Sequence, residues 1–87
     1  VILKDANLVG SSLRSADLHY SDLTRADMTN CDLTGADLTH CDLTHCNLTG
    51  ADLAYCDLTG ANLIGADVSG ANLTDVIGAD FTGAVPE

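Results

Sequence analysis

Apolar residues recur at every fifth position through most of the chain. Between Cys31 and Gly65 every fifth residue is leucine, and the residue two positions before each leucine is alanine or cysteine. Aspartate or asparagine stands directly before each of these leucines. A period of five fits neither the helical period of about 3.6 residues nor the two-residue period of a plain strand. The pattern therefore predicts a repeat architecture in which each pentapeptide is one structural unit.

The same register extends over residues 1–75, where leucine holds the central position except at Met28 and Val68. The unit A-[DN]-L-x-x resembles the repeat of the pentapeptide repeat family, and the resemblance covers essentially the whole chain. It implies an all-β solenoid: a right-handed four-sided β-helix of about four coils, with four pentapeptides in each coil. The period alone indicates only a solenoid in which each unit contacts its neighbours.

In each repeat, the central residue and the small residue two positions before it are the only consistently apolar pair. We expect this pair to fill the interior of the tube, where each buried leucine contributes about 1.5–3 kcal/mol. The predicted core ladder comprises Leu33, Leu38, Leu43, Leu48, Leu53, Leu58 and Leu63, together with Cys31, Cys41, Cys46 and Cys56. With four units per coil the cysteines fall on four different faces. This placement favours free thiols that act as small apolar fillers over a disulfide framework.

The end of the in-register segment predicts a change in the coil. The pattern resumes at Ala79–Gly83, three residues out of phase. We therefore predict one pentapeptide-repeat domain over residues 1–87, with 1–75 in register and 76–87 forming a frame shift and a C-terminal capping coil. Pro86 suits a last layer because proline cannot donate a hydrogen bond to a further strand.

The first residues of the chain, Val1–Leu3, carry no polar or helical cap. An open solenoid edge presents unpaired backbone groups unless something covers it. We expect either self-association through this uncapped N-terminal edge or an upstream segment to cover it.

Each repeat is expected to turn a corner after its central residue. Glycine or asparagine often stands two positions after that residue, where a type II turn requires a positive φ. The corners that end in a bulkier residue are expected to use type I turns instead: Tyr20, Arg25, His40, His45 and Tyr55.

The segment from His40 to Cys46 contains cysteine and histidine, the preferred ligands of zinc. The register places Cys41 and Cys46 inward but His40 and His45 outward at corners, so one ion would not contact both pairs. We therefore expect no metal and no cofactor, with His40 as a ligand only together with a partner chain. No nucleophile–base pair, phosphate-binding loop or acid pair in a cleft is visible, so an enzyme is not expected.

The formal net charge is -10, and the only basic residues are Lys4, Arg14 and Arg25. A twenty-residue coil would stack outward aspartates into columns: Asp17 with Asp37 and Asp57, Asp22 with Asp42, and Asp32 with Asp52. Two unit charges about 4.8 Å apart in water repel by about 0.9 kcal/mol before salt screening. The aspartates therefore serve either a binding role or solubility, or they form local hydrogen bonds to the backbone at the corners.

These features favour a non-catalytic structural or protein-interaction module. Its partner would be another protein, and its predicted surface combines the aspartate columns with Tyr20, His40, His45 and Tyr55; Tyr20 and His40 would stack on one edge. The family resemblance implies an alternative, an acidic DNA mimic that binds or inhibits a DNA-binding enzyme such as DNA gyrase. Direct nucleic-acid binding is not expected, because the net charge of -10 repels phosphate.

No charged-then-apolar signal segment and no long apolar run is visible in the sequence. We therefore expect no targeting segment and no membrane partner. The free cysteines favour a reducing compartment such as the cytoplasm.

Overall fold

Each turn of the chain closes in twenty residues. In the computed structural model, which describes residues 1–86, parallel β-bridges join residues twenty positions apart, from Ile2 with Asp22 to Asp57 with Ile77. Four pentapeptides therefore complete one coil, one on each side. The protein is a right-handed four-sided β-helix, and the fold implied by the family resemblance is confirmed.

Within residues 1–86 the coils are joined by isolated bridges, with neither longer strands nor helices. Each repeat contributes one bridging residue, the aspartate or asparagine position, and a turn at the two residues after the central one. A corner every five residues leaves no room for a longer strand. The bridging residues are Ile2, Asn7, Ser12, Asp17, Asp22, Asp27, Asp32, Asp37, Asp42, Asn47, Asp52, Asp57, Asn62, Asp67, Asn72, Ile77 and Val85. No membrane-crossing helix is present in this described part of the chain.

Three backbone hydrogen bonds per repeat hold successive coils together. The Leu43 amide donates to the Asn62 carbonyl at 2.8 Å, and the Asn62 amide donates back to Cys41 at 2.9 Å. At the corner the His45 amide donates to Ile64 at 2.9 Å. The same three bonds recur up the column, so the backbone polar groups of a narrow core are paired coil to coil.

The core is the column of central residues and their small partners. Seven central leucines from Leu33 to Leu63 are at most 2% exposed, and Cys31, Cys41, Cys46 and Cys56 are at most 1% exposed. All four cysteines are free. The two inward positions of each repeat therefore lie where the register places them.

The expectation of type I turns at the bulky corners is wrong. Tyr20, Arg25, His40, His45 and Tyr55 have φ values between 57° and 62°, the left-handed conformation of the third residue of a type II turn. Stacking explains this result, because each corner amide must donate to the coil above. A corner of different geometry would break that bond, so the ladder overrides the local preference of the side chain.

The frame slip shortens the last coil by two residues. Asp57 still pairs with Ile77 twenty positions on, but Asp67 pairs with Val85 only eighteen positions on. The three-residue segment 76–78 therefore takes the place of a full pentapeptide. The capping role of residues 76–87 stays a prediction, and Glu87 lies outside the described residues.

The shortened coil leaves a gap in the hydrogen-bond ladder. Leu58 donates to Ile77 and Gly65 donates to Gly83, both at 2.8 Å, but the intervening amides of Gly60 and Leu63 make no such bond within the described chain. A largely apolar, open cavity of about 480 Å³ lies at this gap.

One inward position carries an unsatisfied polar atom. Ser21 is 2% exposed, and its hydroxyl has no hydrogen-bond partner among the described residues. Because an unsatisfied buried hydroxyl costs about 1–3 kcal/mol, Ser21→Ala is expected to raise the free energy of unfolding by about 1 kcal/mol. Denaturant unfolding followed by circular dichroism measures this difference. The exposed Ser12→Ala should change stability little, and a destabilised Ser21→Ala protein would contradict the interior assignment.

Candidate interaction surface

Outward aspartates stack in columns along the β-helix. Parallel bridges join Asp17 to Asp37 and Asp37 to Asp57, so these three aspartates lie one above another on the same side of the β-helix. Two shorter columns are formed by Asp22 with Asp42 and by Asp32 with Asp52. The twenty-residue spacing predicts these three columns correctly.

Each carboxylate is held in place by the residue two positions later. Oδ1 of Asp32 accepts a hydrogen bond from the Thr34 amide at 3.0 Å and another from the Thr34 hydroxyl at 2.7 Å. The same pair of bonds recurs at Asp22, Asp27, Asp37, Asp42 and Asp57. These bonds use only one oxygen of each carboxylate. The local backbone role and an outward-facing binding role are therefore compatible.

Hydrogen bonds from threonine also stabilise the ionised form of the carboxylates. Hydrogen bonds from the threonine side chain and then from its amide lower the pKa of Asp22, Asp32, Asp37 and Asp42 below the ordinary value of 3.8. The lowered pKa values extend the acidic range over which these side chains stay charged.

The depressed pKa values predict loss of stability in acid. Because the folded pKa values of Asp22, Asp32 and Asp42 lie below 3.8, their contribution is present above that pH and is lost as the pH falls through the folded values. Melting temperatures measured by circular dichroism from pH 7 to pH 2.5 should fall below about pH 3.8. Thr34→Val, which removes one donating hydroxyl, should show a smaller acid loss. A melting temperature that rises through this range would show that relief of carboxylate repulsion dominates.

The basic residues neutralise other positions. Arg25 forms a bidentate ion pair with Asp5. Its Nε donates to Oδ1 at 2.8 Å, and its Nη2 donates to Oδ2 at 3.1 Å. Arg14 lies 3.7 Å from Asp32. Within residues 1–86, the column of Asp17, Asp37 and Asp57 has no lysine or arginine partner.

An aromatic edge borders this column. The rings of Tyr20 and His40 stack with centroids 4.8 Å apart at 19°, as the twenty-residue spacing predicts. The ring of His19 meets Tyr20 edge-on, with centroids 5.7 Å apart at 76°. Tyr20 is 71% exposed, so the stack is open to a partner.

Two residues of the predicted surface lie on other edges. His45 stands above Arg25, with its ring against Gly65 of the next coil. Tyr55 is 58% exposed and shares its column with Ser15, Gly35 and Asp75. The structure does not bring either side chain to the Tyr20–His40 stack.

Sequence reasoning missed His19, which stands at the position that threonine holds in most repeats. Its Nδ1 lies 2.5 Å from Oδ1 of Asp17 and takes the place of the threonine hydroxyl. The hydrogen bond with Asp17 raises the pKa of His19 and lowers that of Asp17. The signal was present, because outward positions alternate within a repeat and an Asp-x-His triplet therefore places both side chains on one face.

The cysteines contribute nothing to this surface. The Sγ of Cys41 donates to the Leu18 carbonyl at 2.8 Å, inside the tube. Burial raises the pKa of the Cys46 thiol to about 12 and that of Cys56 to about 11. These thiols are protonated and inaccessible in the folded chain.

The model of the pentapeptide repeat family matches residues 1–30 and 41–77, with eight copies of the repeat. This chain belongs to the pentapeptide repeat family. No curated protein matches the chain.

Solved pentapeptide repeat proteins share its fold. Rfr23 of the cyanobacterium Cyanothece 51142 is 36% identical with a TM-score of 0.87; the match covers 87% of this chain and 52% of Rfr23. The protein alr5209 of Nostoc PCC 7120 is 33% identical with a TM-score of 0.80, covering 95% of this chain and 78% of alr5209. HetL of the same Nostoc strain, which is involved in regulating heterocyst differentiation, is 31% identical with a TM-score of 0.62 and coverages of 88% and 40%. The chain thus spans about half the length of Rfr23.

Proposed function

We propose that this pentapeptide repeat chain is a non-catalytic module that binds a basic segment of a partner protein. The observation that carries the proposal is the column of Asp17, Asp37 and Asp57, which faces outward without a lysine or arginine partner among residues 1–86. A surface with a negative electrostatic potential attracts a positively charged partner and raises its association rate.

The backbone of the β-helix holds the Asp17, Asp37 and Asp57 carboxylates in a rigid arrangement. The Leu18 amide donates to the backbone carbonyl of Asp37 at 2.9 Å, and the Leu38 amide donates to that of Asp57 at 2.9 Å. These bonds fix the spacing of successive coils and so of the carboxylates that they carry. Local threonine bonds orient Asp37 and Asp57 before any partner arrives. A preorganised surface loses less conformational freedom on binding, so more of the interaction energy is available for affinity.

The aromatic edge adds a preference for arginine. A guanidinium group stacks favourably on an aromatic face and pairs with carboxylates through its fork of N–H donors. The Tyr20–His40 stack lies beside Asp17 and Asp37 and supplies both kinds of contact. The partner segment is therefore proposed to be rich in arginine.

Binding of a labelled arginine-rich peptide, followed by fluorescence anisotropy, tests this function. The triple variant Asp17→Asn, Asp37→Asn, Asp57→Asn keeps an oxygen to accept the local amide bonds but removes the column's charge. Its matched control, Asp27→Asn, Asp52→Asn, Asp67→Asn, removes the same charge from other faces. We expect the column variant to lose more than about tenfold in affinity and the control to lose less. Equal losses of affinity in the two variants would show that binding depends only on net charge, and would contradict the assigned surface.

A second candidate is mimicry of DNA. The observation that favours it is a net charge of -10 on a body only 25 × 23 × 22 Å, with carboxylates at regular ladder spacing. Such a body would compete for a basic DNA-binding groove through the electrostatics that hold DNA there. A gyrase supercoiling assay at low salt with micromolar protein tests it. Mimicry would be supported if the native chain inhibits gyrase and the column variant does not. An absence of inhibition by the native chain would exclude mimicry of the DNA that gyrase binds.

A further inference from the structure

A group of three metal-ligating side chains spans the first two coils. His19 Nδ1 and Asp17 Oδ1 lie 2.5 Å apart, and Asp37 stands directly above Asp17 through a parallel bridge. One ligand atom from each residue lies within 4.8 Å of the other two. Elsewhere in this column threonine follows aspartate, at Thr39 and Thr59. The imidazole therefore supplies a nitrogen ligand at one level only.

We propose that Asp17, His19 and Asp37 form a binding site for Zn²⁺. An imidazole nitrogen with two carboxylate oxygens is a donor set that zinc accepts in sites with three protein ligands and one open position. Imidazole argues against calcium and magnesium, which take oxygen ligands.

The geometry needs only side-chain adjustment to close around an ion. Zinc binds nitrogen and oxygen at about 2.0–2.2 Å, which places the ligand atoms of a tetrahedral site about 3.3 Å apart. The separation of His19 Nδ1 from Asp17 Oδ1 must widen from 2.5 Å to this value, and the Asp37 oxygen already lies within 4.8 Å of both atoms. The side chains of His19 and Asp17 are 53% and 69% exposed, so the solvent around them leaves room for this small adjustment.

The backbone beneath these ligands is fixed. The Leu18 amide donates to the backbone carbonyl of Asp37, and the Asp37 amide donates to the backbone carbonyl of Ala16, both at 2.9 Å. The ring of His19 is further restrained by its edge-on contact with Tyr20. Because the ligands come from two coils, the site exists only in the folded chain, and bound metal must stabilise the fold.

The electrostatic setting favours a cation at this place. Asp57 continues the carboxylate column above Asp37, and the arginine ion pairs of residues 1–86 lie at Asp5 and Asp32 instead. A divalent ion would neutralise the stacked charges of Asp17 and Asp37. The thiols are buried inside the tube and do not compete for the ion.

Isothermal titration of the full chain with ZnCl₂ at pH 7 tests the site. We expect one equivalent to bind and the melting temperature to rise with zinc. His19→Thr restores the threonine found at the neighbouring levels and should weaken binding by more than about tenfold without unfolding the chain. Asp37→Asn should weaken binding as well, whereas His45→Asn, which changes a histidine on another edge, should leave it intact.

Absence of saturable binding would overturn the proposal, as would undiminished binding in His19→Thr. Substitution by Co²⁺ gives a spectroscopic check, since ligation by nitrogen and oxygen produces no thiolate charge-transfer band. Such a band would assign the metal to the cysteines and likewise overturn the site. Peptide binding is measured with EDTA present, so failure of the metal site and failure of the proposed function are distinguished.

Discussion

Leu48→Ala is expected to lower the free energy of unfolding by about 2–5 kcal/mol. Leu48 is fully buried at the centre of the column, and its amide bonds to the coil above at 2.8 Å. Removing its side chain leaves a cavity between coils that the ladder cannot close, because the backbone spacing is set by hydrogen bonds on every side. Urea unfolding monitored by far-ultraviolet circular dichroism gives the difference.

Thr49→Ala is the matched control for this change. Thr49 is the next residue and stands on the outer wall, so its replacement should cost less than about 0.5 kcal/mol. A similar loss from both variants would mean that inward and outward positions are not distinct at this repeat.

Cys46→Leu is expected to destabilise the chain by about 1–3 kcal/mol, although leucine is the more apolar residue. Cys46 is 1% exposed and packs in the interior among the central leucines. A longer side chain there forces strained rotamers or displaces the coil. The same unfolding experiment measures the loss, and Cys46→Ala should cost about 1 kcal/mol or less because alanine holds the equivalent position in many repeats. A Cys46→Leu protein of native stability would show that the interior has unused space.

The inward and outward faces could be predicted from the sequence because apolar and polar residues recur at the same positions in every pentapeptide. Leu43 and Cys41 are inward and Asp42 is outward for one reason, a register that recurs every five residues. Once a coil contains four units, column neighbours follow by counting twenty, which gave the Tyr20–His40 stack. The number of units per coil came from family resemblance, since the period does not determine it.

The conformation of the corners required coordinates. A bulky residue such as Tyr55 locally disfavours a positive φ, but the coil above requires the corner amide in one orientation, and this tertiary demand prevails. His19 is a different case. Its place below Asp37 follows from counting twenty residues from Asp17, but the short distance between its ring and the Asp17 carboxylate required coordinates.

The assignment of inward and outward faces places all four cysteine side chains inside the tube. Titration of the native chain with a thiol-reactive chromogenic disulfide tests it most directly, with the same titration in denaturant as the reference. Because Cys31, Cys41, Cys46 and Cys56 are buried and protonated, we predict no rapid reaction in the native chain and four equivalents after unfolding. Rapid stoichiometric modification of native Cys41 or Cys46 would contradict the assignment of faces, and with it the carboxylate columns.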